Sequence, residues 1–419
     1  MNLFSCVLSR VLPVCVLVVS YGSILVAESR EPECQKTLSL DEFRAISLKN
    51  SPLIAEIDRD YANDLATAFD TEVLTNPELQ VEQTFTGMKL NGDNDGQSQV
   101  SIGQPIRLSN FGSRQRVASL IRKSGDAQKR SMILELTQKL NIQFRTLFIL
   151  QETRKILIEA EKKASEKVTL INDGVTKGLF SLGEEKLFEG EKYRLQAQVK
   201  GVVATIANTQ NELAKSTGFT CSIVTTGYEP LRELPSEESL ISKARNSEFS
   251  ESARMNLYYN LSKEETRLSE LDAFPVISPR FLYQHTNDGG DFFGAGVSIP
   301  LPFWNSNQGE RVRKSAEERV LKVKNTFLAN GGLESQISNL RQSAISLSEQ
   351  SELFSSKVIP SFEGALKSQE KLYSKGQGNI LQVWQTLRAL NEVQTQGLLL
   401  WLEANSARTQ LSILIGEEI

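Results

Sequence analysis

His285 is the only histidine in the 419 residues, which removes most of the proton chemistry a side chain can run near neutral pH. No Ser/His/Asp or Cys/His relay can be assembled around it, and one imidazole cannot make a histidine metal cluster. It lies in a strand-like stretch beside a polar loop. The glycines are scattered rather than gathered into a phosphate-cradling loop, and a hairpin turn accounts for Gly289-Gly290. Carboxylate pairs abound, but nothing around them sets one apart as acid and another as base. The expectation is no enzyme, no cofactor and no metal site.

The cysteines point elsewhere. Arg10 is followed by an apolar run from Val11 to Val19, with Ser20, Gly22, Ser23 and Ala27 downstream, the pattern of a secretory signal over residues 1–27. A membrane-spanning helix is the alternative, although the run falls short of the roughly 20 uninterrupted apolar residues a span needs. Cys6 and Cys15 leave with the signal if cleavage falls near Gly22 or Ala27. Cys34 and Cys221 then reach an oxidising compartment, either joined as a disulfide or as two unpaired thiols. Leu12, three residues before Cys15, leaves lipid attachment open, although Val14 is larger than the small residue a lipoprotein signal places next to its cysteine. Nucleic acid is not an expected partner, because 47 Lys plus Arg face 51 Asp plus Glu without segregation.

The elements that carry these residues are organised by an internal repeat. Asn50-Ser51 returns as Asn246-Ser247, Gly112 as Gly309, Gly178 as Gly376 and Gly218 as Gly416, at offsets of 196 to 198 residues. The boundaries that follow are a signal at 1–27, a linker at 28–37, a first repeat at 38–218, a linker at 219–235 and a second repeat at 236–419. Each repeat has a proline-free stretch that suits long helices. Leu333, Ile337, Leu340, Ala344, Leu347, Phe354 and Val358 follow heptad-like spacing, as do Leu195, Val199, Val202, Ile206 and Leu213. Helical hairpins are expected at about 113–218 and 309–416. A single helix from Gly112 to Gly178 would be roughly 100 Å long at about 1.5 Å per residue, so the molecule must be elongated.

Between the helices the period changes to two. Leu79, Val81 and Phe85, then Val100, Ile102, Ile106 and Leu108, alternate with polar or small residues; Ile277, Phe281 and Tyr283, then Phe293, Ala295, Val297, Ile299 and Leu301, repeat the pattern. These are β-hairpins at about 78–108 and 276–303. Four strands of about ten residues match outer-membrane strands, yet the smallest closed barrels use about eight. The strands are therefore pooled from several chains, or they form a soluble sheet.

The opening Leu38-Ser39-Leu40-Asp41-Glu42-Phe43 running to Asn50-Ser51-Pro52, the run Ser298-Ile299-Pro300-Leu301-Pro302-Phe303-Trp304-Asn305-Ser306-Asn307-Gln308-Gly309 and the glycine turns together resemble the TolC family of outer-membrane efflux proteins. The Pro-Leu-Pro-Phe-Trp-Asn-Ser-Asn-Gln-Gly run resembles its CzcC-like branch, associated with heavy-metal cation efflux. The resemblance implies a mainly α fold with a β-barrel portion: a homotrimer whose strands pool into a 12-stranded barrel in outer-membrane lipid, above an α-helical periplasmic tunnel. It implies a passive conduit in a tripartite efflux system, working with a periplasmic adaptor and an inner-membrane pump. Phe111 and Trp304 become membrane-interface aromatics. Lys177-Gly178-Leu179-Phe180-Ser181 and Lys375-Gly376-Gln377-Gly378-Asn379 become adaptor-docking tips. Acidic residues commonly narrow the tunnel entrance in this family; here Gln382 and Gln385 stand in that turn, leaving Glu184 and Glu185 beyond the first tip. The competing reading is a secreted periplasmic coiled-coil scaffold without a barrel.

Overall fold

The computed structural model describes residues 34–85, 96–227, 229–286, 289–301 and 306–419. The signal at 1–27, the turn residues 91–95 and 287–288, and Trp304 lie outside them.

The first repeat begins with strand β1 (Gln35–Leu38) and helices α1 (Leu40–Asn50) and α2 (Pro52–Glu72). Ser39 and Glu42 close a capping box on α1, and Ser51 caps α2 with Pro52 in its first turn, where a missing N–H costs nothing. Strands β2 (Glu78–Phe85) and β3 (Gly96–Gly103) follow, then α3 (Ser113–Thr176) and α4 (Leu182–Thr217). The 64 residues of α3 make a rod of about 96 Å.

The second repeat runs through β4 (Ser222–Thr225), α5 (Glu237–Asn246), α6 (Glu251–Leu271), β5 (Ser278–Thr286), β6 (Asp291–Ser298), α7 (Gln308–Phe327), α8 (Leu333–Leu353), α9 (Ile359–Ser374) and α10 (Ile380–Ile415). Here the helical path that matches α3 is broken twice. Asn330 and Gly331 leave helical geometry, Gly331 at φ 94°, within a wide turn at Leu328–Gly332. A second wide turn at Phe354–Val358 precedes Pro360, whose ring and missing N–H conflict with a regular helical ladder; widening the preceding turn lets the helix continue past it.

The helix-ending glycines of the two repeats each meet the start of their own repeat's second short helix. Gly218 ends α4 at φ 69°, and a Cβ there would lie 2.7 Å from the Asn50 carbonyl oxygen; the Ser51 hydroxyl donates to the Ser216 carbonyl at 2.5 Å. Gly416 ends α10 at φ 79° with its Cβ position 2.4 Å from the Phe249 carbonyl carbon. Only glycine fits, because the backbone is left-handed and another backbone is in contact.

The core is divided along the rods. Phe43, Leu140, Phe144, Leu213 and Ile223 pack α1, α3, α4 and β4 together; Leu240, Ile337, Leu411 and Ile415 do the same for α5, α8 and α10. Ala160, Ala164, Val168 and Ile171 of α3 join Phe188, Leu195, Val383, Trp384 and Leu387 near the helical turns. Each heptad-spaced residue of the two seams is buried or half-buried, as expected of an apolar stripe facing a neighbouring helix.

Two sheets complete the fold. β1 and β4 pair in parallel, and Cys34 and Cys221, next to that pair, are joined by a disulfide with Cα atoms 4.8 Å apart. The larger sheet is antiparallel in the order β2-β3-β5-β6, extended by a bridge between Ile106 and Ile277.

Candidate functional site

The register of the larger sheet sorts its side chains. Leu79, Ile102, Phe281 and Ala295 stand in one row and Val81, Val100, Tyr283 and Phe293 in the next, so all eight share one face. Most of that face is bare: Leu79 and Val81 are each 69% exposed, Phe281 67% and Phe293 83%. The following row toward the loops is Gln83, Ser98, His285 and Asp291, and there His285 Nδ1 lies 2.8 Å from Asp291 Oδ1, which also accepts from the Tyr283 hydroxyl at 2.8 Å. The apolar band therefore ends at a polar, hydrogen-bonded row.

The opposite face is mostly polar side chains and glycine, with Leu282 and Phe292 among them. Arg280 donates to Gln80 at 3.1 Å and Gln284 to Gln97 at 2.8 Å. Gly103 leaves the space Arg280 crosses, since a Cβ there would come 2.9 Å from its Cγ. β2 and β6 each have one edge with no strand of this chain against it among the described residues, a feature that a solitary soluble sheet would have to shield.

Below the sheet Ile299, Leu301, Leu108 and Phe111 continue the exposed apolar surface, with Phe111 at 76%. Phe111 sits in the turn before α3. Arg107, on the same segment, pairs with Asp272 at 3.2 Å, which ties the sheet to the end of α6.

The two tips at the far end of the helices have one backbone design. Gly178 and Gly376 both take φ 73°; Leu179 N–H donates to the Gly174 carbonyl at 2.8 Å, and Gln377 N–H to the Leu372 carbonyl at 3.0 Å, the closing bond of a Schellman turn. Their fillings are exchanged. In the first tip Phe180 of the turn folds over Gly174 of the helix, where a Cβ would be 2.3 Å from the ring; in the second, Gly378 of the turn lies 2.7 Å, at its Cβ position, from the Tyr373 backbone nitrogen. Leu179 and Leu182 remain 72% and 64% exposed. Lys177, Lys375 and Gln377 are exposed as well.

Ser181 and Glu184 form a second capping box: the carboxylate accepts from the Ser181 N–H at 2.8 Å and its hydroxyl at 2.9 Å. That bonding holds the Glu184 carboxyl below the usual glutamate range. Asn379 caps α10 by accepting from Leu381 N–H at 2.8 Å. Glu184 and Glu185 are half-buried, Gln382 and Gln385 exposed. This cap was missed in the sequence, although the Ser-x-x-Glu spacing is a signal for one; the pairing of His285 with Asp291 needed the hairpin register.

Among the described residues no group of three or more His, Cys, Asp and Glu is placed to hold a metal ion, and no helix is long and apolar enough to cross a membrane. Long helical hairpins in two repeats, carrying one amphipathic four-stranded sheet, are the TolC-like fold of outer-membrane channels. CusC, studied for its folding and transmembrane channel formation, superposes with a TM-score of 0.72 at 14% identity, over 90% of this chain and 92% of its own. The CmeC outer membrane channel of Campylobacter jejuni matches at 0.72 and 12%, over 98% and 95% of the two chains. The outer membrane protein VceC of Vibrio cholerae matches at 0.68 and 14%, over 90% and 96%. No protein-family model matches the chain, and no curated protein matches its sequence.

Proposed function

We propose that this protein is the outer-membrane channel of a tripartite efflux system, a homotrimer that serves as a passive conduit from a pump and adaptor to the exterior. One observation carries the reading: a sheet with a bare apolar face, a mostly polar face and two open edges among the described residues. An exposed apolar surface of this extent marks a contact with lipid or protein, and the polar opposite face suits a water-filled lumen. Pairing β6 of one copy with β2 of the next removes every edge and makes 12 strands from three chains. A periplasmic scaffold would have no use for such a face.

The tips would dock the adaptor, and the exposed Leu179 and Leu182 beside Lys177 would supply an apolar contact with a charged rim. Heavy-metal cations are the proposed cargo, supported by the Pro-Leu-Pro-Phe-Trp-Asn-Ser-Asn-Gln-Gly run alone. Cross-linking in detergent followed by mass measurement tests the assembly: three copies of the mature chain are expected. A stable monomer retaining its strands, or release from membranes in plain buffer, would refute it.

A further inference from the structure

We propose that the seam between α3 and α10 binds a compact polyvalent oxyanion of the phosphate class. Where the middle of α3 passes the last turns of α10, the two helices face each other through polar side chains, Gln138, Asn141 and Arg145 on α3 and Asn405, Arg408 and Ser412 on α10, around a cavity of about 380 Å³. Four of the six, Gln138, Asn141, Asn405 and Ser412, are buried. Residues 229–232 pass over the seam, and Trp401 Nε1 anchors them by donating to the Glu229 carbonyl at 3.0 Å. At about 30 Å³ per water, the space accepts a small anion with part of its hydration.

The choice of an anion comes from the unused hydrogen bonds. Arg145 Nε and Arg408 Nε are buried without an acceptor, and they are the orphaned polar atoms among the described residues lining this cavity. Both are donors. Arg145 gives Nη2 to the half-exposed Glu229 carboxylate at 3.3 Å; among the described residues Arg408 gives Nη2 to the neutral Ser348 hydroxyl at 3.2 Å and to no carboxylate. Burial and the nearby Arg145 charge hold the Arg408 guanidinium below its usual range. Of the other charged groups facing the cavity, Glu418 is bound by Arg44 at 3.2 Å and by Gln138 at 3.2 Å, while Asp41 and Arg232 are exposed. An oxyanion can accept from both N–H groups as a neutral oxygen could, but it alone also offsets two like charges in a partly desolvated seam, and its bonds to guanidinium are the stronger, charge-assisted kind.

The site is independent of the channel reading and is tested on the detergent-solubilised full chain by intrinsic-fluorescence melting. Sodium phosphate is titrated against sodium chloride at constant ionic strength. The wild type should show a saturable rise in Tm with phosphate, and sulfate should reproduce it. Arg408→Gln should abolish the rise, and Lys155→Gln, on the exposed surface, should leave it intact. If Arg408→Gln does not fold, Arg408→Lys keeps the charge but loses the planar Nε–H, and should weaken the phosphate midpoint roughly tenfold. No phosphate-specific rise in the wild type, an unchanged midpoint in the Arg408 variant, or a response confined to citrate would overturn the proposal.

Discussion

The ring of Phe188 stands edge-on to that of Trp384, centroids 5.2 Å apart with 68° between the planes. The two are buried at 1% and 7% exposure and lie on α4 and α10, helices that start at equivalent places in the two repeats. This contact fastens one tip to the other. Phe188→Ala should cost about 3–5 kcal/mol and loosen both tips together. Hydrogen exchange should then accelerate at residues 177–181 and 375–379 alike; acceleration confined to the first tip would show that the repeats hold their tips separately.

The faces of the sheet predict opposite responses to one charge. Val100→Lys places an ammonium on the apolar face, where lipid contact near mid-membrane costs about 2–4 kcal/mol, and should prevent assembly in outer-membrane fractions. Gln99→Lys, one residue away on the polar face, should assemble normally and change only the ion selectivity of channels in planar bilayers.

Gly174 and Phe180 give a sign reversal. Gly174→Ala alone should destabilise the first tip, because the new methyl would meet the Phe180 ring. In a Phe180→Ala background the same change should stabilise, by about 0.5–1 kcal/mol, since alanine is the better helix former. A thermal-melt double-mutant cycle reads both signs.

The Cys34–Cys221 disulfide spans a sequence separation of 187 residues and so restrains an unfolded chain strongly. Replacing both by serine should cost about 2–5 kcal/mol, measured as a lower denaturant midpoint, and reduction of the wild type should reproduce the loss.

Glu184 links stability to pH through its cap. Its folded-state pKa is lowered by the bonds from Ser181, so its contribution is complete above the ordinary glutamate value of 4.5 and is lost as pH falls through the lowered value. Ser181→Ala should flatten that acid-side dependence. If Glu184 and Glu185 also set the field at the tunnel mouth, Glu184→Gln with Glu185→Gln should reduce cation preference in bilayer recordings with little change in melting temperature.

The sequence alone marked the two helical hairpins and the four strands of the larger sheet, but not the short helices α1, α2, α5 and α6, the β1–β4 pair or the wide turns at Leu328–Gly332 and Phe354–Val358. Glycines at 178, 218, 376 and 416 marked helix ends because left-handed backbone strongly favours that residue, and alternation in 79–81, 100–102, 281–283 and 293–297 showed which side chains share a face. Heptad spacing likewise identified the inward positions of α4 and α8. Such periodicities are local, and they say nothing about what an element faces. That Cys34 sits against Cys221, that β3 pairs with β5, that Phe188 meets Trp384 and that Arg145 approaches Arg408 are contacts across about 180 residues or more of chain. Only the tertiary structure decided them, because packing of whole rods and sheets, with no signal in any one stretch of sequence, sets which distant faces meet.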